Sequence, residues 1–256
     1  MSDHIQGEVR DGIQTIEIRR PEKKNALTEE MYAALAYAME QAENDPAVRV
    51  IFIRGQPDVF TAGNDLGDFL RNPPSNEKAP VFLFLRDIIL AGKPIVAAVT
   101  GNAVGIGTTM LLHCDYVVAG ESAQFSTPFV ALGLCPEAGS SLMLPLAIGH
   151  KRAAEMLMFG DRIDAATARD WGLVNLLVDD SQAIEIGLAK ARILAAKPAG
   201  ALQTTKALLK RRLATQAAQA MVEEANEFKR LLHSPAAREI LSAFAEKRAP
   251  NPALFT

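Results

Sequence analysis

The chain has 256 residues, 49% of them hydrophobic and 22% charged, which is enough apolar sequence to bury a sizeable core. Its formal net charge of −3 at pH 7 argues against a general nucleic-acid-binding protein, because such proteins are usually basic. Two cysteines are too few for a disulfide framework, which favours a reducing compartment. The sequence shows no leader segment and no apolar run of membrane-spanning length, so we expect a soluble cytoplasmic protein with no membrane partner.

The first 140 or so residues alternate predicted strands and helices. Segment 12–19 alternates apolar and polar residues, which is typical of a half-buried strand. Thr28 fits the N-cap of a helix that runs to about Asn44. Further along we predict strands over 48–54, 94–99, 116–119 and 124–126, an apolar helix over 81–91 and a mobile loop over 72–78. This alternation predicts an α/β protein with a largely parallel, layered core.

A glycine-containing stretch, 103–115, follows the strand at 94–99 and leads into an apolar segment that we interpret as a helix. A strand, a glycine turn and a helix leave unpaired N–H groups at the helix N-terminus, which stabilise a phosphate or an oxyanion. Gly105 and Gly107 lack the third glycine of a dinucleotide fingerprint, whose place Met110 takes, and the lysine of a P-loop. Taken alone, these glycines are equally consistent with close helix–strand packing.

From Lys151 onward the chain is almost entirely helical, with one predicted strand at 173–178. The predicted helices cover 151–159, 165–171, 181–196, 199–213, 216–232 and, after an N-cap at Ser234, the segment to Lys247. We therefore divide the chain into a core over 1–195 and a C-terminal helical region over 196–256. The apolar stripes of such a region dock on the core or on a neighbouring subunit.

A series of short motifs runs through most of the chain in order. They are RRP at 19–21, NAL at 25–27, FTAGNDL at 60–66, GNAVGIG at 101–107, CD at 114–115, GDRIDA at 160–165, GLV at 172–174 and AFAEKR at 243–248. Together they resemble the crotonase, or enoyl-CoA hydratase/isomerase, superfamily. The resemblance implies the ClpP/crotonase-like fold, a superhelix of stacked β-β-α turns with a C-terminal helical trimerisation region. It also implies an acyl-CoA thioester substrate, no separate cofactor, and a homotrimer or dimer of trimers.

The resemblance places an oxyanion hole at two backbone N–H groups. One belongs to Asn64, which follows Ala62-Gly63, and the other to Ile106, at the start of the helix after Gly105. Because main-chain atoms donate, the side chains can differ from the small residues common in the family. Removing a proton from C2 of an acyl thioester puts negative charge on the thioester oxygen, and one such donor is typically worth ~2.7–4 kcal/mol in the transition state.

The resemblance also implies a surface that binds the substrate and its CoA. Its residues are Lys24, Ala26, Ala62, Gly63, Asp65, Leu66, Gly105, Phe244 and Lys247, with Lys23 beside them. Ala62 matches a backbone contact to the adenine, and Phe244 and Lys247 match a pair that often reaches CoA from a neighbouring subunit. From the residues alone, Lys24 is also consistent with a solvated charge cluster, and Asp65 with the cap of a short helix.

The acid–base residues decide what becomes of an enolate. Hydratases of the family use two glutamates, and the matching positions here hold Thr109 and Phe129, so that pair is absent. Glu137, in CPEAGSS at 135–141, matches the carboxylate of isomerase-type members. The combination is similar to the peroxisomal-type Δ3,Δ2-enoyl-CoA isomerases. It implies that Glu137 takes a proton from C2 of a 3-enoyl-CoA and returns it at C4, with a pKa that burial raises.

Several alternatives stay open at this point. Glu137 is also consistent with a turn residue at a helix start, where a carboxylate suits the helix dipole. Within the family, the chain could catalyse hydration or another enolate chemistry on a CoA thioester, and outside catalysis it could be an acyl-CoA-binding protein. The histidines lack metal-ligand spacing, so we predict no metal site and expect His113 to be a core residue. Ser140-Ser141 lack the G-x-S-x-G elbow and are expected to cap or line the pocket near Glu137.

Overall fold

The computed structural model describes residues 2–74, 76 and 78–255, and their strands form two sheets. The first has six strands, which are, in spatial order, β1 (Ile5–Arg10), β2 (Ile13–Ile18), β3 (Val50–Arg54), β5 (Ile95–Val99), β7 (Tyr116–Gly120) and β10 (Leu176–Val178). The second has four, in the order β4 (Val59–Thr61), β6 (Asn102–Val104), β8 (Gln124–Ser126) and β9 (Ile163–Asp164). The β1–β2 and β8–β9 pairs are antiparallel, and the other pairs are parallel.

Helical segments follow the strands and fill the C-terminal part. They are α1 (Glu29–Asn44), α2 (Leu66–Arg71), α3 (Pro80–Leu90), α4 (Ile106–Thr109), α5 (Ser140–Ile148), α6 (His150–Ala154), α7 (Ala165–Trp171), α8 (Asp180–Ala195), α9 (Ala199–Lys210), α10 (Ala214–Leu232) and α11 (Pro235–Glu246). Short 3-10 helices lie at Pro21–Lys23, Met110–His113, Val130–Leu132 and Pro252–Leu254, and a π-helical segment at Glu155–Phe159. The predicted caps are confirmed, since Thr28 accepts from the Met31 N–H at 3.3 Å and Ser234 from the Ala237 N–H at 3.2 Å.

From β3 to β8, consecutive strands alternate between the two sheets. Strand β3 lies in the first sheet and β4 in the second, and the same holds for β5 with β6 and for β7 with β8. Each pair is followed by helical segments before the next pair begins. The chain therefore builds stacked β-β-α turns, which confirms the predicted α/β superhelical core.

The central strands β3, β5 and β7 of the first sheet are buried on both faces. Helix α8 packs on one face, against β3, β5 and β7, where Phe52, Val96, Ala98 and Ala191 form a small apolar cluster. The opposite face belongs to the large core that also contains α1 and α3. Strands that are buried on both faces have nearly continuous apolar sequences. Fully burying one aliphatic side chain stabilises a fold by roughly 1.5–3 kcal/mol.

Some elements differ from the prediction. The apolar segment after Gly105 is not one helix but α4 followed by the 3-10 helix Met110–His113. Helix α5 was not predicted, because Pro145 lies inside it and its apolar residues are not confined to one face. Positions 75 and 77 of the predicted loop 72–78 lie outside the described residues, so the mobility of that loop stays a prediction.

The C-terminal helices dock on the core of their own chain. Helix α10 packs against α3 and α5, and α11 packs against α2 and the 3-10 helix Val130–Leu132. Assembly into a trimer stays a prediction. Among the described residues, no helix is both long and apolar enough to cross a membrane.

Candidate active site

The candidate site lies where the parallel strands β4, β6 and β8 end. Because these strands are neighbours in one sheet, their carboxyl ends meet at the same edge. Residues 62–65 follow β4, Gly105 and α4 follow β6, and Phe129 comes shortly after β8. The sheet thus brings together residues that are far apart in the sequence, as in other layered α/β folds.

Two glycines allow these loops to touch. Gly63 has φ +87°, and a Cβ atom there would lie 2.8 Å from the carbonyl oxygen of Val104. Gly105 has φ 56° and ψ −117°, a conformation that residues with a side chain avoid. Both positions therefore need glycine, and the loop after β4 packs directly on the turn after β6.

The backbone N–H groups of Asn64 and Ile106 are held in place by their neighbours. The Leu27 N–H donates to the Gly63 carbonyl and the Asp65 N–H to the Leu27 carbonyl, each at 2.8 Å, which fixes the peptides around Asn64. Ile106 begins α4, whose first bonds run to the Gly105 carbonyl. In the described part of the chain, neither N–H donates to a protein acceptor. Two fixed donors of this kind are suited to an oxyanion.

Both residues line a cleft of about 480 Å³, within the usual range of ligand sites. The cleft brings together most of the predicted CoA-binding set: Lys24, Ala26, Ala62, Gly63, Asp65, Leu66, Gly105 and Phe244, with Lys23. Lys247 does not line it; this residue ends α11 in a left-handed conformation. Phe244 reaches the cleft from its own chain, although 64% of its surface is exposed.

Asn25 holds the basic loop that carries Lys23 and Lys24. Its side chain is fully buried and donates to the carbonyl oxygens of Ile18, Val59 and Phe60 at 3.0–3.1 Å. These bonds tie the loop to β2 and β4, beside the start of the cleft.

Asp65 caps α2 rather than facing the cleft freely. Its carboxylate accepts from the Asp68 N–H at 3.0 Å and from the Arg20 guanidinium at 2.8 Å. Partial burial pulls its pKa upward, but the bonds from Arg20 and Asp68 outweigh this and hold the pKa below its ordinary value. The capping role that the sequence left open for Asp65 is therefore confirmed.

Glu137 lies beside the cleft, in an apolar hollow of about 30 Å³. The residue is 9% exposed, and Oε1 of its carboxyl accepts a hydrogen bond of 2.6 Å from the Thr109 hydroxyl. The other walls of the hollow include Phe69, Phe82, Leu85, Met221, Ala225 and Phe228. Asn64, Phe69 and Phe228 line both the hollow and the cleft, so the two spaces adjoin at Asn64.

Burial raises the pKa of Glu137 to about 7, from an ordinary value of 4.5. The hydrogen bond from Thr109 works in the opposite direction, and the negative charge of Glu224 raises the pKa further. A carboxyl with a pKa near neutral pH can both accept and return a proton, which is the property that general acid–base catalysis needs.

The two positions that hold glutamates in hydratases carry no carboxylate here. Thr109 is fully buried and serves Glu137 as a hydrogen-bond donor, and Phe129 is a buried residue of the cleft wall. His113 is buried with Nε2 2.7 Å from the Ala138 carbonyl oxygen, and burial lowers its pKa to about 4, so the prediction of a core histidine is confirmed. Within the described ranges, no three His, Cys, Asp or Glu residues are grouped to hold a metal.

Two residues of the site were missed in the sequence. Tyr32, on the buried face of α1, donates a short hydrogen bond to the Asn64 side chain. Glu224 is buried on α10, and its carboxylate accepts from the Gly139 and Ser141 N–H groups. A signal for Glu224 was present, because it stands in the stripe Ala217, Met221, Glu224, Phe228, whose spacing marks the buried face of a helix.

Comparisons with known proteins show the family to which the chain belongs. A family model described as enoyl-CoA hydratase/isomerase matches residues 8–252. The chain is similar to the 1,2-epoxyphenylacetyl-CoA isomerase of Escherichia coli (strain K12), with 33% identity over 261 residues, covering 98% of each protein. It is 37% identical over 209 residues to enoyl-CoA delta isomerase 2 of Homo sapiens, covering 79% of this chain and 53% of that protein.

A solved structure extends the similarity to three dimensions. The crystal structure of an enoyl-CoA hydratase/isomerase from Pseudoalteromonas atlantica T6c superposes with a TM-score of 0.92 at 38% identity, covering 97% of this chain and 99% of that one. This similarity confirms the predicted fold class.

Proposed function

We propose that this chain, which belongs to the enoyl-CoA hydratase/isomerase family, moves the double bond of a 3-enoyl-CoA from C3 to C2. The observation that carries this proposal is the buried carboxylate of Glu137, which lines the apolar hollow next to the N–H donors of Asn64 and Ile106. An isomerase needs one acid–base group, because the proton that leaves C2 is returned to the same molecule at C4.

The proposed reaction begins with the thioester oxygen between the N–H groups of Asn64 and Ile106. The Glu137 carboxylate takes a proton from C2, and the electron pair of that C–H bond moves into a dienolate whose charge rests on the oxygen. The protonated carboxyl then gives the proton to C4, and the double bond settles between C2 and C3. The acceptor and donor forms of Glu137 differ little in free energy near neutral pH, because its pKa is about 7.

The cleft and the apolar hollow suit different parts of the substrate. The cleft, with Lys23 and Lys24 at its basic loop, suits the CoA part, and the small apolar hollow beyond Asn64 suits the first carbons of the acyl chain. In this scheme no further cofactor takes part, since CoA is carried by the substrate itself.

Hydration by the same site is the alternative. Adding water to a 2-enoyl-CoA requires a group to hold and deprotonate the water while a second group protonates C2. Thr109 and Phe129 replace the two glutamates, and the hollow around Glu137 is lined mainly by apolar side chains. These observations favour isomerisation.

A pair of assays on the purified protein tests the proposal. We expect a 3-enoyl-CoA to give the conjugated 2-enoyl thioester, followed by its ultraviolet absorbance, and a 2-enoyl-CoA to stay unhydrated. Glu137→Gln keeps the shape of the side chain and removes the base, so turnover should fall by roughly 10²–10⁴-fold. The control is Glu223→Gln, which changes an exposed glutamate on α10. Rapid hydration of the 2-enoyl-CoA with no change in the 3-enoyl-CoA contradicts the proposal.

A further inference from the structure

Glu224 joins the C-terminal helix α10 to the turn that carries Glu137. Its side chain is 6% exposed, and its two carboxylate oxygens accept from the Gly139 N–H at 2.6 Å and the Ser141 N–H at 2.8 Å. These N–H groups lie two and four residues after Glu137 and belong to the start of α5. A carboxylate at a helix N-terminus pairs donors that have no partner within the helix and suits the helix dipole.

The turn itself has an uncommon backbone conformation. Ala138 and Gly139 have φ of 62° and 70°, and a non-glycine residue such as Ala138 visits this region only when its surroundings hold it there. On one side of the turn, His113 meets the Ala138 carbonyl oxygen at 2.7 Å. On the other side, Glu224 holds Gly139 and Ser141. The turn is thus held between the 3-10 helix Met110–His113 and helix α10.

We propose that Glu224 is a positioning residue for Glu137: by clamping the turn through Gly139 and Ser141, it fixes the direction in which the Glu137 carboxyl meets C2 and C4. This inference rests on the proposed isomerase function. Glu224 itself is not placed in contact with the reacting atoms. Its effect passes through the backbone of residues 138–141 and through its charge.

A glutamine cannot replace this carboxylate at equal cost. Both acceptor oxygens of Glu224 are used by backbone donors. The amide group of glutamine would turn an NH₂ toward one of those N–H groups and leave it without an acceptor, and a buried donor without a partner is costly. The turn would lose one of its two hydrogen bonds to α10.

The charge of Glu224 also acts on Glu137. The groups that face Glu137 are Tyr32 from α1, Thr109 from α4 and Glu224 from α10. Thr109 stabilises the carboxylate and lowers its pKa, whereas the Glu224 charge raises it. Removing that charge should therefore move the pKa of Glu137 downward. Because burial is the largest cause of the raised pKa, a loosened turn that lets water reach Glu137 would shift the pKa in the same direction, and Glu224→Asp, which keeps the charge, separates the two effects.

Helix α10 also forms a wall of the apolar hollow around Glu137. Met221, Ala225 and Phe228 line the hollow and flank Glu224 on the same helix. The clamp therefore ties the position of the base to the helix that the acyl chain contacts.

The test compares Glu224→Gln with Glu223→Gln, a matched change at the neighbouring exposed glutamate. We expect Glu224→Gln to lower kcat on a 3-enoyl-CoA by tenfold or more with KM changed less than threefold, and to move the acidic limb of the pH–kcat profile to lower pH. Glu223→Gln should behave as wild type. Glu224→Asp keeps the charge but shortens the reach, so kcat should fall while the acidic limb stays in place.

Three outcomes overturn the inference: unchanged kcat in Glu224→Gln, a lower kcat with an unmoved acidic limb, or the same loss in Glu223→Gln. A carboxyl ¹³C NMR titration, with the Glu137 signal assigned by its loss in Glu137→Gln, measures the same shift without turnover. If Glu224→Gln does not fold, the titration is carried out on Glu224→Asp. Because this variant keeps the charge, the pKa of Glu137 should stay near its wild-type value, and a clear downward shift would contradict the role given to the charge. Wild-type protein that leaves every 3-enoyl-CoA unchanged refutes the proposed function, while the titration still tests the clamp.

Discussion

At the scale of the residue, the site depends on one carboxyl and the groups that tune it. Burial raises the pKa of Glu137 to about 7, the Thr109 hydroxyl lowers it, and the charge of Glu224 raises it. Two side chains with opposite effects thus act on the same carboxyl. Their substitutions should move its titration in opposite directions.

The first prediction concerns pH. Because Glu137 must be ionised to take the C2 proton, kcat/KM of the wild type should rise with pH through about 7 and then level off. Thr109→Val removes the hydrogen bond that favours the carboxylate, so the acidic limb should move to higher pH. Thr205→Val, at an exposed hydroxyl of α9, is the control and should leave the limb in place. A limb that stays fixed in Thr109→Val would show that another group titrates.

The same carboxyl should make stability depend on pH. The folded-state pKa of about 7 lies above the ordinary 4.5, so the folded protein binds the proton more tightly than the unfolded chain. The stabilisation is fully present below about pH 4.5 and is lost as the pH rises through 7. Glu137→Gln removes this loss, and its free energy of unfolding relative to wild type should rise by the order of 2–3 kcal/mol between pH 5 and pH 8. Denaturant unfolding at both pH values measures it, and a difference independent of pH would contradict the burial of an ionisable group.

At the scale of the element, two loops at the ends of β4 and β6 position the oxyanion donors. Their close approach depends on Gly63, whose positive φ and nearness to Val104 exclude a side chain. Helix α1 supports the same loop through Tyr32, which bonds the Asn64 side chain. The donors are therefore held by contacts between their loops and the neighbouring elements, including the bond from Tyr32 to the Asn64 side chain.

Gly63→Ala should damage the site more than the fold. The added Cβ, 2.8 Å from the Val104 oxygen, would push the Asn64 N–H away from its partner donor. Loss of one oxyanion donor typically costs roughly 10²–10³-fold in kcat. The matched control is Gly200→Ala in α9, where a Cβ atom would have nothing within 4 Å. Equal kcat for wild type and Gly63→Ala would show that the Asn64 N–H has no part in the reaction.

The elements also show which features the sequence carries. Apolar runs such as 94–99 and caps such as Thr28 act locally, so β5 and α1 could be predicted. The motifs likewise singled out Asn64, Ile106 and Glu137 as candidate site residues, and the fold places them around adjoining cavities. Glu224 could not be placed in the same way, because its partners, Gly139 and Ser141, are more than 80 residues away in the chain and nothing in α10 specifies them.

At the scale of the whole molecule, the C-terminal region covers its own active site. Helix α10 forms part of the apolar hollow around Glu137, and α11 brings Phe244 to the cleft. The predicted division at residue 195 therefore separates two parts that build the site jointly. We propose that the outer faces of this region mediate the trimer expected from the family.

Phe244 provides a test of this arrangement. Its ring lines the cleft while remaining 64% exposed, so it can pack against the CoA part of the substrate. Phe244→Ala should raise KM with little change in kcat, because Phe244 does not line the hollow that holds Glu137 and the lost contact acts equally on the substrate and the transition state. Phe255→Ala, at an exposed residue that does not line the cleft, is the control. A fall in kcat with unchanged KM would contradict a role in binding CoA.

The most direct test of the account follows the proton itself. A 3-enoyl-CoA carrying deuterium at C2 is converted in ordinary water, and the product is examined by mass spectrometry and NMR. A single buried carboxyl that carries the proton from C2 to C4 predicts a 2-enoyl-CoA with part of the deuterium at C4, and almost no product from Glu137→Gln. A 3-hydroxyacyl-CoA product, or a 2-enoyl-CoA formed equally fast by Glu137→Gln, would contradict it.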